Sequence, residues 1–408
     1  MLGRVLNSHQ QWLCRQLADL GFVVTRQVAV ADTGRDIQQA VGEALARADL
    51  VITTGGLGPT SDDITRDLIA QLLGKELRQD AHVLAEIEKM FAQRRIRMPK
   101  SVRVQALVPE GAMVLPNPNG TAPGLAIEIR PNAFRENGKR SWLILLPGPP
   151  RELRPMFLDS VVPLLRREFP LENPFVCHTL RTAGIGESML QERIEAPLRP
   201  LVVAGLELGY CARVGQVDVR LAARIKDAQK LVGDAEQIVR ARLGEHIYAT
   251  GDDEIETVIV RLLTGRKQTL AVAESCTGGC IANRLTNVPG ASAVFLAGLV
   301  TYSNEAKQKI LGVRADTLAR HGAVSDAVAR EMAEGARKQT HADYALAVTG
   351  IAGPTGGTPE KPVGTAFIGL AGASRTIVER KLNSYERETF KQVTAQQAVE
   401  ILRRAIPD

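Results

Sequence analysis

The sequence predicts three successive units that mix helices and strands, and three observations carry that expectation. Amphipathic segments of 3.6-residue period alternate with strand-like apolar runs along most of the chain. Glycine-rich loops follow several of those runs, as they do where strands hand over to helices. The length of 408 residues, at about 150 residues per domain, allows two or three domains and excludes a single small module.

The first unit, residues 1–169, is read as an α/β domain. An amphipathic helix over Ser8–Leu20 carries Leu13, Leu17 and Leu20 on one face, and Gly21 passes the chain into an extended run, Phe22–Val30. A second amphipathic stretch, Ile37–Ala46, leads into a strand over Asp49–Thr54, an order that predicts a mainly parallel sheet. Such domains normally open with a strand, yet Met1-Leu2-Gly3-Arg4 stands directly before the first helix, so the first strand is expected to be missing. The strand-like Ser141–Leu146 and the turn Pro147-Gly148-Pro149-Pro150 belong to the same unit. Residues 174–250 read as a compact α+β module: strand Thr179–Thr182, helix from Glu187, strand Val217–Ala223, helix Asp227–Leu243. An acidic linker, Gly251-Asp252-Asp253-Glu254, joins it to an α/β unit over 255–408 with strands near Thr269–Ala273, Ala345–Val348 and Thr365–Leu370.

Composition narrows the function. A hydrophobic fraction of 45% with 24% charged residues fits buried cores and excludes a disordered or fibrous chain. The 51 Lys+Arg against 45 Asp+Glu leave +6, without the dense basic clusters and interleaved aromatics of a nucleic-acid binder, so direct nucleic-acid binding is not expected. Five scattered cysteines without CxxC spacing, no apolar run near ~20 residues and no signal pattern together predict a cytoplasmic protein without a membrane span.

The strand at Asp49–Thr54 runs into Gly55-Gly56-Leu57-Gly58-Pro59-Thr60-Ser61-Asp62-Asp63, with a helix from Ile64. Glycines admit an anion to the backbone, and a helix N-terminus offers free N–H groups, so the loop suits a phosphate. Asp62 and Asp63 are placed either to hold a divalent metal or to cap the helix. Two more loops, Asn117–Gly124 and Leu146–Glu152, stand at expected strand ends, where ligands of open α/β sheets collect, which favours one shared site.

These strings, GGLGPTSDDIT, NPNGTAPG and LPGPPREL, resemble the molybdopterin-binding-like domain of the CinA family, the competence/damage-inducible proteins, and the likeness extends over essentially the whole chain. The resemblance implies a phosphorylated nucleotide-like ligand, with ADP-ribose hydrolysis assisted by a divalent metal in some members. By it, Gly55, Gly56, Gly58, Thr60, Asn119, Gly120, Thr121, Pro147 and Gly148 cradle the diphosphate, while Asp62, Asp63 and Glu152 are metal or acid-base residues. Members usually open with a strand and a Gly-(Thr/Asp)-Glu-Leu segment, which this chain lacks, and Asn7-Ser8-His9 replaces the usual Asn-Thr-Asn. The middle module, with Gly184-Ile185-Gly186-Glu187-Ser188, resembles the family's KH-like domain, though that loop lacks the basic character that clamps a phosphodiester.

In the third unit, Glu274-Ser275-Cys276-Thr277-Gly278-Gly279 follows a strand and precedes a helix from about Cys280. Its two histidines, His321 and His341, lie in no catalytic pattern, and no HExxH is present, so neither a Ser-His-Asp triad nor that zinc-hydrolase motif is expected. A serine can instead be activated by a lysine kept neutral by burial, and Lys307, near tyrosine and serine hydroxyls in Thr301–Lys307, is the candidate. Cys276, without a His partner, reads as a small packing residue. Ser275 also sits at a strand-to-helix turn like a nucleophile elbow, although Glu274 occupies a position where small residues are usual.

Taken together, AESCTGG, VTYSNEAK, HGAVS and TGIAGPTGGTPEKPVGT resemble the nicotinamide mononucleotide amidohydrolase domain, found alone or as the CinA C-terminus. The resemblance implies hydrolysis of the carboxamide of nicotinamide mononucleotide without a cofactor, with Ser292 as nucleophile, Lys307 as general base, and Tyr302 and Ser275 completing the hydrogen-bond network. The N-terminus of the helix after Glu274 is expected to supply oxyanion donors, with Thr277, Gly278, Gly279, Thr349 and Gly350 on the substrate. Arg387 is placed as a phosphate partner or a solvated surface arginine, and Pro354–Pro362 as a lid or an ordinary surface loop. The family likeness also implies a homodimer.

Overall fold

The computed structural model describes residues 7–171, 173 and 175–406, and the chain divides into two compact units, residues 1–172 and 173–408. The expected absence of a first strand falls on residues 1–6, outside the described residues.

The strands of the first unit are β1 (Leu50–Thr54), β2 (Leu77–Gln79), β3 (Leu107–Pro109), β4 (Met113–Leu115), β5 (Gly124–Ile129) and β6 (Ser141–Leu146). Four of them form a sheet in the order β1-β6-β5-β4, and β2 pairs with β3 alone. Only β1 and β6 run parallel, which corrects the expected mainly parallel sheet. The connections 116–123 and 130–140 are too short for a helical crossover, so β4, β5 and β6 return as antiparallel neighbours. Strand β6 is buried on both faces: Leu143 and Leu145 join one core, Trp142, Ile144 and Leu146 the other, which is why it reads as an unbroken apolar run. The extended run Phe22–Val30 is no strand. Val23, Val24 and Val28 are exposed there, and no described strand lies beside it to accept a ladder of hydrogen bonds.

In the second unit, β7 (Val176–Ala183), β8 (Glu207–Arg213), β9 (Gln216–Ala223) and β10 (Ile247–Thr250) form an antiparallel sheet in the order β10-β7-β9-β8. Helices Glu187–Val203 and Ala228–Leu243 close its core through Leu190, Ile194, Val232 and Val239, the α+β module expected. The acidic segment after it is pinned: the wholly buried Arg181 donates to the Gly251 carbonyl (3.0 Å) and to Asp218 (2.9 Å), and Arg213 donates to Glu254 (2.8 Å). Gly184, in the loop after β7, packs against Arg404 and Glu400 of the last helix.

Five further strands follow: β11 (Leu270–Glu274), β12 (Phe295–Val300), β13 (Tyr344–Gly350), β14 (Thr365–Ala371) and β15 (Thr376–Leu382), in the order β12-β11-β13-β14-β15. The first three in chain order run parallel to one another, and β14 and β15 are antiparallel additions. Alternate residues of β11 point to opposite faces, so Leu270 and Val272 pack with Ile259, Ile281 and Phe390, while Ala271 and Ala273 pack with Leu311 and Met332. The sheet is thereby covered by helices on both faces. Among the described residues no helix is long and apolar enough to cross a membrane.

Candidate active site

The carboxyl ends of β12, β11 and β13 lie side by side, with Glu274 level with Val300 on one flank and Val348 on the other. Ser275 leaves the end of the middle strand, its N–H still bonded to the Val348 carbonyl (3.0 Å), while the Thr301 N–H bonds to the Glu274 carbonyl (2.9 Å). Ser275 therefore sits where parallel sheets gather their ligands.

After β12 the chain turns at Ser303, whose hydroxyl accepts from the Ala306 N–H (3.0 Å) and caps helix Asn304–Leu311. Lys307 lies on the first turn of that helix and runs back toward the strand ends, since helical side chains lean toward their N-terminus. Only 1% of it is exposed. Its Nζ is 3.0 Å from Ser275 Oγ, 2.9 Å from the Thr301 carbonyl oxygen and 3.1 Å from that of Tyr302. Two of these neighbours can only accept a hydrogen bond, and the third can donate one. A neutral amine fits that set: its two hydrogens go to the carbonyls and its lone pair faces the serine O–H. Burial lowers the Lys307 pKa from the ordinary lysine value, in the direction that favours this neutral form.

Glu274 is fully buried, and its carboxylate accepts from the N–H groups of Gly279 (3.0 Å), Ile281 (3.2 Å) and Ala282 (2.9 Å) at the start of helix Cys280–Thr286. It shapes the turn 275–279 and takes three of the helix donors expected for an oxyanion. The helix N-terminus is thus spent on Glu274, whereas the N–H groups of Cys276 and Thr277 bond to no backbone carbonyl among the described residues. Burial pushes the Cys276 thiol up to about 12, and the side chain packs under Gly350, in keeping with a packing role. Thr277 and Thr301 are wholly buried, and among the described residues neither hydroxyl has a hydrogen-bond partner.

Ser292 stands elsewhere, and the expected pairing with Lys307 is corrected. It is exposed in the 3-10 turn Ala291–Ala293 before β12, at the end of the sheet where β11 begins. At ~3.3 Å per residue, the length of β11 separates the two ends by roughly 16 Å. Tyr302 meets Lys307 only through its carbonyl; its exposed ring hydroxyl accepts from Arg387 (3.0 Å), which also donates to the Gly353 carbonyl (2.9 Å). Thr349 spends its hydroxyl on the Ala323 carbonyl (2.8 Å), tying the His321–Ser325 segment to β13. Gly350 leaves room for Thr365, Cys276 and Phe390, which a Cβ there would crowd. The segment Pro354–Pro362 is held at two points, Lys361 Nζ on the His321 carbonyl (2.7 Å) and Arg380 on the Glu360 carbonyl (2.6 Å).

The three glycine loops of the first unit also converge. Gly55 donates to the Leu146 carbonyl (2.9 Å), a Cβ on Gly148 would lie 3.7 Å from Gly55 Cα, and Asn117 donates to Glu152 (2.9 Å). Asn119 closes onto Asn117 Oδ1 (3.1 Å), with Thr121 half-buried and Pro147 buried beside them in the same loops. Carboxylates fill the space the glycines open. A Cβ on Gly58 would overlap Asp63, one on Gly120 would overlap Glu152, and one on Gly56 would overlap Thr65. Asp63 accepts from both the N–H (3.0 Å) and the hydroxyl of Thr60, while Asp62 is exposed. Among the described residues no group of three or more His, Cys, Asp or Glu is placed to hold a metal ion.

Residues 252–406 match the family model described as CinA C-terminal domain, residues 1–167 the one described as Probable molybdopterin binding domain, and residues 177–249 the Damage-inducible protein CinA KH domain. A competence-damage inducible protein of Symbiobacterium thermophilum is 46% identical over 383 residues, covering 92% of this chain and 87% of that protein. The chain belongs to the CinA family. A CinA-like protein of Akkermansia muciniphila is 44% identical over 402 residues, covering 98% and 93% of the two chains. A crystal structure of a CinA superfamily protein from Klebsiella pneumoniae is 36% identical, covers 37% of this chain and 95% of that one, and has a TM-score of 0.36.

In this CinA-family chain the C-terminal match contains the whole Ser275–Lys307 arrangement, and the first match contains the glycine loops. Sequence reasoning missed the part played by Glu274. Its signal was present, an acidic residue ending an apolar strand five positions before the first helix N–H it captures.

Proposed function

We propose that the C-terminal domain hydrolyses the carboxamide of nicotinamide mononucleotide to nicotinic acid mononucleotide and ammonia, with Ser275 as nucleophile and Lys307 as general base. The observation that carries this reading is the buried Lys307 amine, 3.0 Å from Ser275 Oγ and flanked by two carbonyls that leave its lone pair to the serine. Nicotinamide mononucleotide is chosen on the likeness of AESCTGG, VTYSNEAK and TGIAGPTGG to the amidohydrolase domain.

Ser275 Oγ attacks the carboxamide carbon and its proton passes to Lys307 Nζ. The oxyanion is held by the Cys276 and Thr277 N–H groups, which have no carbonyl partner. The C–N bond breaks as Lys307 returns the proton to the departing nitrogen, giving ammonia and an acyl-serine ester. Water then attacks the ester, Lys307 takes its proton, and the serine leaves with that proton restored. The sum is amide plus water to acid plus ammonia.

Ammonia release from nicotinamide mononucleotide by the full chain tests the reading. Ser275→Ala should lower kcat/KM by about three orders of magnitude or more, whereas the exposed Ser292→Ala should stay within roughly twofold, as surface substitutions do. The reverse pattern would return the nucleophile to Ser292, and no release by the wild type would remove the activity.

A further inference from the structure

Lys391 stands out among the cations of the second unit. It is half-buried on helix Arg387–Ala405, and among the described residues it has no hydrogen-bond or ion-pair partner. Its Nζ lies 3.8 Å from the position a Cβ would take on Gly278, in the turn that carries Ser275. A solvated lysine would extend its head into water, whereas this one gives up part of its hydration against the turn, with no carboxylate hydrogen-bonded to its Nζ among the described residues. The nearby carboxylates are already engaged: Glu274 holds three N–H groups of its own turn and helix, and Glu386 holds the Glu388 and Thr389 N–H groups. Arg387 is one helical turn earlier on the same face, tethered to Gly353 and Tyr302. Next to Gly278 in the chain, the wholly buried Thr277 hydroxyl has no partner among the described residues.

We propose that Lys391, together with Arg387, forms the subsite for the 5′-phosphate of the substrate, a phosphate monoester dianion. The inference rests on the amidohydrolase reading for the identity of the substrate. Geometry supports the placement. The Gly278 N–H bonds to the Ser275 carbonyl (3.2 Å), closing a β-turn whose ends lie within ~7 Å. Ser275 and the Lys391 head therefore stand at the two ends of one turn, and the nicotinamide ring and ribose of the substrate would lie between the carboxamide at one end and the 5′-phosphate at the other. The phosphate restores to Lys391 the interaction that burial removed, and it fixes the nucleotide so that the carboxamide meets Ser275.

Kinetics on two substrates test it, using the full chain. In Lys391→Met, kcat/KM for nicotinamide mononucleotide should fall roughly ten- to hundredfold, mainly through KM, the size of one lost charge-assisted hydrogen bond. The loss on nicotinamide riboside, which lacks the phosphate, should be far smaller, and Lys391→Arg should recover most of the preference for the nucleotide. An equal loss on both substrates would make Lys391 a support for the turn and overturn the subsite, as would no loss at all. A second readout needs no turnover: inorganic phosphate should raise the melting temperature of the wild type more than that of Lys391→Met. If the wild type released no ammonia but kept this phosphate difference, the amidohydrolase reading would fail and the anion subsite would stand; equal shifts in both proteins would overturn the subsite.

Discussion

The glycine loops of the first unit and the Ser275–Gly279 turn of the second are built alike and filled differently. Both follow strand ends and lead toward helices, and both use glycines at positive φ, Gly55 and Gly56 in one, Gly278 and Gly279 in the other. In the first unit the space beside the glycines holds the carboxylates of Asp63 and Glu152. In the second, Glu274 is drawn beneath the turn onto three N–H groups, and the neighbouring groups above are a serine, a buried amine and the unpaired Lys391. The side chains beside the glycines thus differ in sign, carboxylates in the first unit and a lysine in the second, and the proposed anionic substrate calls for the second arrangement.

The largest expected effect that would break this comparison is at Lys307. Lys307→Met keeps the buried stem and removes the base, and ammonia release should fall by about three orders of magnitude. The wild-type profile of kcat/KM should climb as the amine loses its proton, with a midpoint below the ordinary lysine value of ~10.4. Stability carries the same signature. The folded amine binds its proton less tightly than the unfolded one, so between the two values the unfolded chain holds more protons. The penalty is fully present below the folded pKa and disappears as pH rises through the unfolded value. Urea titrations across alkaline pH should show wild-type stability gaining on that of Lys307→Met over this window. A flat difference would mean that the amine is an ordinary ammonium and no base.

Much of this was readable in the residues, and the failures have physical causes. Ser141–Leu146 was legible because a strand buried on both faces needs an unbroken apolar run, and β6 has that pattern. Phe22–Val30 has the composition of a strand, but strand formation depends on a neighbour, which local sequence does not encode. Lys307 was singled out as a lysine near tyrosine and serine hydroxyls and by its motif, and the structure buries it 3.0 Å from the hydroxyl of Ser275. Its partner was misassigned because Ser275 and Ser292 both flank strands, and only the parallel pairing of β11 with β12 shows that one stands at a strand end and the other before a strand start. Tyr302 was expected through its hydroxyl and acts through its carbonyl, a choice made by the backbone path into helix Asn304–Leu311. For the carboxylates of the first unit the sequence left metal binding, acid-base work and capping open, because it does not show which neighbours bond to them; in the structure Thr60 donates to Asp63 and Asn117 to Glu152.

Glu274 offers a middle-sized test, since it is what separates the two kinds of loop. Glu274→Gln keeps the shape and one acceptor oxygen, but its amide NH2 cannot accept, so at least one of the Gly279, Ile281 and Ala282 N–H groups loses its partner. A lost hydrogen bond to a charged group costs about 1.5–3 kcal/mol. Urea unfolding of the second unit should report that loss, and kcat should fall with it as the turn bearing Ser275 shifts. Unchanged stability would show that the turn holds its shape without the carboxylate, leaving the first unit's loops and this turn closer in kind than the hydrogen bonds indicate.

The smallest effects separate the two regions by their glycines. Alanine at position 120 would drive its Cβ into the Glu152 carboxylate, which is 8% exposed and held by Asn117, so the overlap cannot relax into open solvent. Overpacking of that kind costs about 1–3 kcal/mol, and it should appear as a lower urea midpoint for the first unit. Alanine at position 278 meets nothing closer than Lys391 Nζ at 3.8 Å, the far end of a flexible side chain. Its cost comes from the backbone alone, where φ of +61° is unfavourable for a residue with a Cβ by about 1 kcal/mol. Gly278→Ala should therefore unfold only slightly earlier than the wild type, while the methyl set against Lys391 Nζ narrows the approach of the phosphate and raises KM for nicotinamide mononucleotide. Equal destabilisation by the two substitutions would place the Gly278 turn in packed surroundings like those of Gly120, and the open, cation-lined character assigned to it would be wrong.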